Sequence, residues 1–309
     1  MELGLYTDSL PEHSFEEALD VAARVGATAI EIATGGQSRA PHLRLDELLG
    51  DAGRRRAFRD AFASRGLRIA ALNCSAWPLH PAVGERHVAI IRSTIRLAAE
   101  LGVTKLVTMS GNPGDGAAGT AVNFVWYPWP EGSMALLERQ WDQAIALWQG
   151  LGAEAKAAGI EALAFELHPL HLVYNVPTYE RMRDAVGPII AVNLDPSHLF
   201  WQGMDPLAVV RTLGPAVRHV HLKDTEIVAD QAAIAGVLDS RPFADPGHRG
   251  WVFRTAGAIH DRAWWTAFVD ELRAAGYDDA LSIENEDAGL PPEASVEKAA
   301  AFMRPIIEA

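Results

Sequence analysis

The sequence predicts an α/β protein built as a (β/α)8, or TIM, barrel, a single domain over residues 1–309. Two observations carry that expectation. Seven amphipathic helical stretches each stop at a glycine (Gly26, Gly66, Gly102, Gly159, Gly187, Gly214 and Gly276), and an apolar run follows each within a few residues. In addition, no glycine-rich phosphate turn follows the first apolar run, as a doubly wound open sheet would be expected to show.

The first strand is ELGLYTD. Ser14 and Glu17 then form a capping box ahead of FEEALDVAARVG. Glycine just past a helix end takes the left-handed conformation that other residues resist, so each of the seven marks a helix C-terminus. The runs after them read TAIEIA, LRIAALN, TKLVTMS, IEALAFE, IIAVNLD, VRHVHLK and DALSIEN, which with the opening run makes eight strands. The eighth helix is expected to begin near Pro291 and Pro292. No linker, low-complexity segment or repeat beyond the βα alternation is visible.

At 309 residues the chain can bury a sizeable core. Its formal net charge is -13, and no basic run exceeds the triplet Arg54, Arg55, Arg56, which disfavours nucleic acid and anionic membrane as partners. One cysteine, Cys74, excludes a disulfide within the chain. The opening residues lack a basic region followed by an apolar run, and no stretch approaches a membrane span, so a cytoplasmic location is expected.

Four of the strand ends carry the chemistry. AFELHP, VNLDPSH, HVHLKD and LSIENED supply Glu166, Asp195, His221 and Glu284. Side chains alternate along a strand, so Glu166 and His168 oppose Phe165 and Leu167. The same split sets Asn193 and Asp195 against Leu194, and His219, His221 and Lys223 against Val220 and Leu222. It also sets Ser282, Glu284 and Glu286 against Ile283. The apolar parity would face the helices, and the polar parity the barrel axis near its C-terminal mouth. Inward polar groups are costly unless paired or metal-bound. Any one of the four alone reads as a helix cap or salt-bridge partner; together they suggest one shared divalent-metal site. Three carboxylates and an imidazole without thiolate favour Mn2+, with Mg2+ or Co2+ as alternatives, over structural zinc. His198 would sit on the loop above the metal.

FELHP, NLDPSHLFWQGMDP, HVHLKD and the closing GYDDALSIENED resemble the xylose-isomerase-like sugar phosphate isomerase/epimerase superfamily, over essentially the whole chain. The resemblance implies Glu166, Asp195, His221 and Glu284 as metal ligands, with Glu166 and Glu284 doubling as acid/base groups. It implies substrate contacts for His198 and Lys223. A DNA-repair endonuclease branch with a trinuclear zinc cluster needs histidines at the ends of strands three and four. Those ends read LNCS and TMSG here, which argues against it. NCSAWPLHP, MSGNPGD, WYPWPEG and LDSRPFADPGHRGWVFRTAGAIH are similar to members acting on 3-oxo-glycosides, C-glycoside deglycosidases among them. That likeness implies a small partner subunit, and a homo-oligomer is the alternative.

A metal chelating a ketone oxygen and the adjacent hydroxyl acidifies the carbon-bound proton between them. A carboxylate can then move that proton, giving an isomerase or epimerase, or a lyase if a β-substituent leaves. His168 is either a base or leaving-group acid, or a histidine hydrogen-bonded to its surroundings. His219 reads as a buried structural histidine. Lys223 either anchors a substrate oxygen or pairs with Asp224 or Glu286. Trp77, Trp126, Trp129, Trp201 and Trp251 fall in expected loops after strands and suit sugar C–H faces, although each alone reads as loop packing. Arg249 and Arg254 flank Trp251, either for an anionic group or as solvated loop residues. No phosphate-binding motif is concentrated anywhere, so a free or glycosidic sugar is expected as the small-molecule partner. A non-catalytic sugar-binding barrel is the remaining alternative.

Overall fold

The computed structural model describes residues 1–116, 118–243 and 245–309. Local sequence accounts for its elements. Ser14 caps α1 (Phe15–Arg24): its hydroxyl accepts the Glu17 N–H at 3.4 Å, and the Glu17 carboxylate accepts the Ser14 N–H at 2.8 Å. All seven C-terminal glycines have positive φ, from 53° at Gly214 to 113° at Gly187. The eight expected strands are present as β1 (Glu2–Tyr6), β2 (Ala29–Ala33), β3 (Arg68–Cys74), β4 (Lys105–Thr108), β5 (Ala162–Glu166), β6 (Ile190–Leu194), β7 (Val217–Leu222) and β10 (Ala280–Ile283). They form a closed parallel barrel in the order β1-β10-β7-β6-β5-β4-β3-β2, a (β/α)8 fold. Among the described residues, no helix is long and apolar enough to cross a membrane.

The chain divides into two compact units. The first comprises Met1–Glu31, Ala61–Ala70 and Leu194–Ala309. In it β1 pairs with both β2 and β10, setting Gly4 opposite Ala29 and Ser282, and Tyr6 opposite Glu31. On β10, Ser282 lies opposite His221 of β7. Residues in register share a face, so one face carries Gly4, Tyr6, Glu31, His219, His221 and Ser282. The other carries Leu3, Leu5, Ile30, Val220, Leu222, Leu281 and Ile283, all buried. The C-terminal helix α11 (Pro292–Ile307) begins at Pro292, as expected, and packs on β1 and β10. Each aliphatic residue buried on that outer face contributes about 1.5–3 kcal/mol.

The second unit comprises Ile32–Asp60 and Ala71–Asn193. Register sets Asn73 opposite Val107, Val107 opposite Ala164, and Glu166 opposite Asn193. Ala71, Val107 and Ala164 make a small apolar cluster on the face that ends at Glu166. On α5 (Ser133–Ala157), Trp148 is fully buried with its ring 4.5 Å from Phe165, and its indole N–H donates to the Ser110 carbonyl at 2.8 Å. Cys74 ends β3 fully buried, and burial pushes its thiol up to about 11.

Two excursions exceed the simple βα alternation. Residues 109–132 link β4 to α5 without a described helix or strand. In the second, β8 (Asp224–Ile227) and β9 (Trp251–Arg254) pair as a two-stranded antiparallel sheet, which the strand count did not include. Trp251 and Arg254, expected on a loop, therefore lie on a strand. The aromatic and β-branched residues of WVFR favour that strand once β8 pairs with it.

The capping box offers a direct test. Ser14→Ala should lower unfolding free energy by about 1 kcal/mol, and Ser14→Gly by less. The measurement is the urea midpoint at unchanged m-value.

Candidate metal centre

Asp195 follows β6 and caps α7 (Pro196–Phe200). Its Oδ1 accepts the Ser197 N–H at 2.8 Å, with Pro196 in the first helical position. The Asp-Pro-Ser sequence thus starts a helix directly at the strand end. His198, expected on a loop, is instead a buried residue of that helix, with Nε2 3.4 Å from Asp195 Oδ2. Its ring meets the Phe253 ring edge-on at 5.3 Å.

His221 projects from β7, while Lys223 and Glu284 lie just past the ends of β7 and β10. His221 Nδ1 is 3.0 Å from Glu284 Oε2. Lys223 Nζ lies 2.6 Å from Glu284, 2.7 Å from Glu286 and 3.0 Å from Asp195, with the lysine side chain 1 % exposed. Of the two ion pairs expected for Lys223, the one with Glu286 forms. Asp224 binds His260 instead, at 2.6 Å. Burial pushes the Glu284 carboxyl up, but Lys223 and His221 outweigh it and hold it well below the ordinary carboxylate range.

Glu166 is the last residue of β5 and is buried. Donor atoms of Asp195, His221 and Glu284 all lie within 4.8 Å of one another. A cation with bonds of about 2.1 Å spans donors about 4.2 Å apart, so small side-chain rotations suffice to bring these three onto one ion. Two carboxylates and one imidazole suit a hard or borderline divalent ion, and the residues therefore fit the group the sequence suggested. His168 is half-buried, with Nδ1 2.5 Å from the Pro169 carbonyl.

Sequence reading missed Glu31. It stands on β2, fully buried, with Oε2 2.6 Å from His219 Nε2 and both oxygens 3.0–3.1 Å from His221 Nε2. His219, read as structural, is fully buried in this network and lies 3.1 Å from the Ser282 hydroxyl. Burial pushes Glu31 up, but His221 and His219 outweigh it and hold the carboxyl below its usual range. Burial likewise opposes the charge on His221, yet Glu31 and Glu284 raise its pKa well above the ordinary histidine value. The available signal was a lone carboxylate in TAIEIA, on the parity of two alanines.

The aromatic residues divide. Trp77 is half-buried, its ring 3.9 Å from that of His171. Trp126 and Trp129 are 55 % and 72 % exposed and help line a cavity of about 310 Å³ within residues 123–136. Trp201 stacks on Trp251 at 4.6 Å and 3°. Trp251 is itself buried, with the Arg249 guanidinium 5.0 Å from its ring. Arg249 is buried rather than solvated, stacking over Phe243 at 4.0 Å. Arg254 bonds to Glu226 at 2.8 Å and Asp287 at 3.2 Å.

Comparison with known proteins agrees with this fold. Residues 19–306 match the family model described as xylose isomerase-like TIM barrel. An uncharacterized protein of Bacillus subtilis strain 168, YfiH, is 41 % identical over 300 residues, covering 96 % of each chain. Among solved structures, an L-ribulose 3-epimerase matches with a TM-score of 0.64 at 19 % identity, over 99 % of this chain and 94 % of that one. The IOLI protein with a bound zinc atom matches with a TM-score of 0.68 at 18 % identity, over 100 % and 98 %.

The Lys223 ion pairs predict a pH-dependent stability difference. Removing one partner of a buried pair strands the other, so Lys223→Met should cost roughly 3–5 kcal/mol at neutral pH. A depressed carboxyl stabilises fully above its ordinary value of 4.5, and the contribution is lost as pH falls towards the folded value. The gap between the two proteins in urea unfolding should therefore narrow under acid conditions. A gap independent of pH would contradict the assignment.

Proposed function

The chain belongs to the xylose isomerase-like TIM barrel family, and on that footing we propose that it is a divalent-metal-dependent sugar isomerase or epimerase. One observation carries the reading: Asp195, His221 and Glu284 bring their donor atoms within 4.8 Å of one another at the ends of β6, β7 and β10; Glu166, the last residue of β5, is proposed as the fourth ligand. Mn2+ is the proposed ion, with Mg2+ or Co2+ as substitutes. A divalent ion bound there polarises a ketone oxygen and the adjacent hydroxyl, which makes the carbon-bound proton between them more acidic.

The chain's own groups then handle that proton. Glu284, within reach of Lys223, would take it, and Glu166 would return it to the same or the neighbouring carbon. Return to the opposite face gives an epimer, and return to the neighbouring carbon an isomer. His168, two residues beyond Glu166, would exchange a proton with a substrate oxygen. His198 and the Lys223 ammonium would hold sugar hydroxyls. Trp77 and Trp201 offer apolar ring faces, backed by Trp251, and Trp126 offers one from the long loop. Arg254 would hold β9 in place through Glu226 and Asp287. The net charge of -13 favours a small neutral sugar or glycoside over nucleic acid. A reducing, cytoplasmic setting accords with the single cysteine.

The test is solvent exchange followed by NMR. In D2O with Mn2+, deuterium should enter ketohexoses or 3-oxo-glucosides at the carbon next to the ketone, and a chelator should stop it. Glu284→Gln should lower exchange by about 10²–10⁴-fold with an unchanged circular dichroism spectrum. Undiminished exchange in that variant would sink the mechanism. Loss of a β-substituent would identify the lyase variant on 3-oxo-glycosides. Metal binding without exchange would point to a missing partner subunit or a sugar-binding role.

A further inference from the structure

We propose that Glu31 is the positioning residue of the metal centre: its carboxylate takes the Nε2–H of His221, which leaves the Nδ1 lone pair aimed at Asp195 and Glu284. The inference rests on the metal site of the preceding subsection and adds to it a residue that none of the four-ligand motifs contains.

An imidazole has two nitrogens, and a ligand histidine must keep a lone pair on the right one. In His221 they face different partners. Nδ1 looks to Glu284 Oε2 at 3.0 Å, and Nε2 looks to both Glu31 oxygens at 3.0–3.1 Å. An ionised carboxylate only accepts hydrogen bonds, so Glu31 selects the tautomer with hydrogen on Nε2. His219 secures the carboxylate from the other side, Nε2 to Oε2 at 2.6 Å. Tyr6 stacks on the His221 ring at 5.8 Å and 11°, opposing rotation about its Cβ–Cγ bond.

The strands between Glu31 and His221 leave the necessary room. β1 and β10 lie between β2 and β7, and on the shared face they present Gly4 and Ser282, opposite each other in register. A Cβ on Gly4 would meet the Ser282 hydroxyl at 3.2 Å and the Ala280 Cβ at 3.3 Å. Small residues there let a β2 carboxylate reach β7 imidazoles across the interior.

Glu31, His219 and His221 also satisfy the spacing for an ion of their own. The distances favour hydrogen bonds instead. A separation of 2.6 Å between His219 Nε2 and Glu31 Oε2 is a charge-assisted hydrogen bond. Two ligands of one ion with bonds of about 2.1 Å sit about 3 Å apart or more. Glu31 therefore orients a ligand, as carboxylates commonly do behind metal-bound histidines.

Two measurements on the full chain decide the matter. Long-range proton–nitrogen correlation on 15N-histidine protein loaded with Mg2+ should show His221 with hydrogen on Nε2. Calorimetric titration with Mn2+ should give one ion per chain, bound about 10–100-fold more weakly by Glu31→Gln. Hydrogen on Nδ1 in the unsubstituted protein overturns the inference, even if the variant does not fold. So does Glu31→Gln affinity equal to that of the parent, and so does a second ion that this variant loses. A parent chain that binds no Mn2+ overturns the metal centre and this inference together, whereas an unaffected variant overturns this one alone.

Discussion

A charge turned into a barrel interior costs several kcal/mol unless a partner meets it, and that cost governs this structure. Glu31 is met by two imidazoles, Glu284 by an ammonium and an imidazole, and Asp195 by Lys223 and the first turn of α7. These pairings depend on strand register. A slip of one residue on β7 would turn His219 and His221 to the helix side and bring Val220 and Leu222 inward. The ion network and the apolar outer wall therefore specify the same alignment. A barrel that folds has, by that fact, assembled the cluster.

Much of this was legible in the sequence because the signals are local. Glycines at helix ends, the Ser14–Glu17 box and the polar parity of β5, β6, β7 and β10 depend only on neighbours within a few residues. Glu31 was not legible, because its meaning comes from histidines 188 and 190 positions away. The β8–β9 sheet was obscured for a related reason: its strands are short and 23 residues of other structure separate them. His198 was placed on a loop because a five-residue helix leaves little periodicity to read. Tryptophans looked alike in the sequence, yet Trp251 is buried while Trp129 is 72 % exposed, a difference only tertiary packing creates.

The (β/α)8 barrel hosts many reactions, so the fold alone does not choose among them. The choice falls to the groups at the strand ends and to the two long excursions beyond them. Residues 109–132 hold an exposed aromatic group, whereas residues 224–254 are pinned by stacked rings and by Arg249 and Arg254. Both segments nonetheless expose rings, Trp126 and Trp129 at 55 % and 72 % in the first and Phe243 at 56 % in the second.

Cys74 gives the molecule an internal clock. A thiol with its pKa near 11 and no solvent access is inert to alkylation at neutral pH while β3 and β4 stay together. It becomes reactive only when that part of the wall opens. Because the chain has no other cysteine, each labelling event reports one opening at one place. The slowness of labelling then measures how firmly the wall is closed, without an added probe and apart from any event at the strand ends that hold the ion cluster.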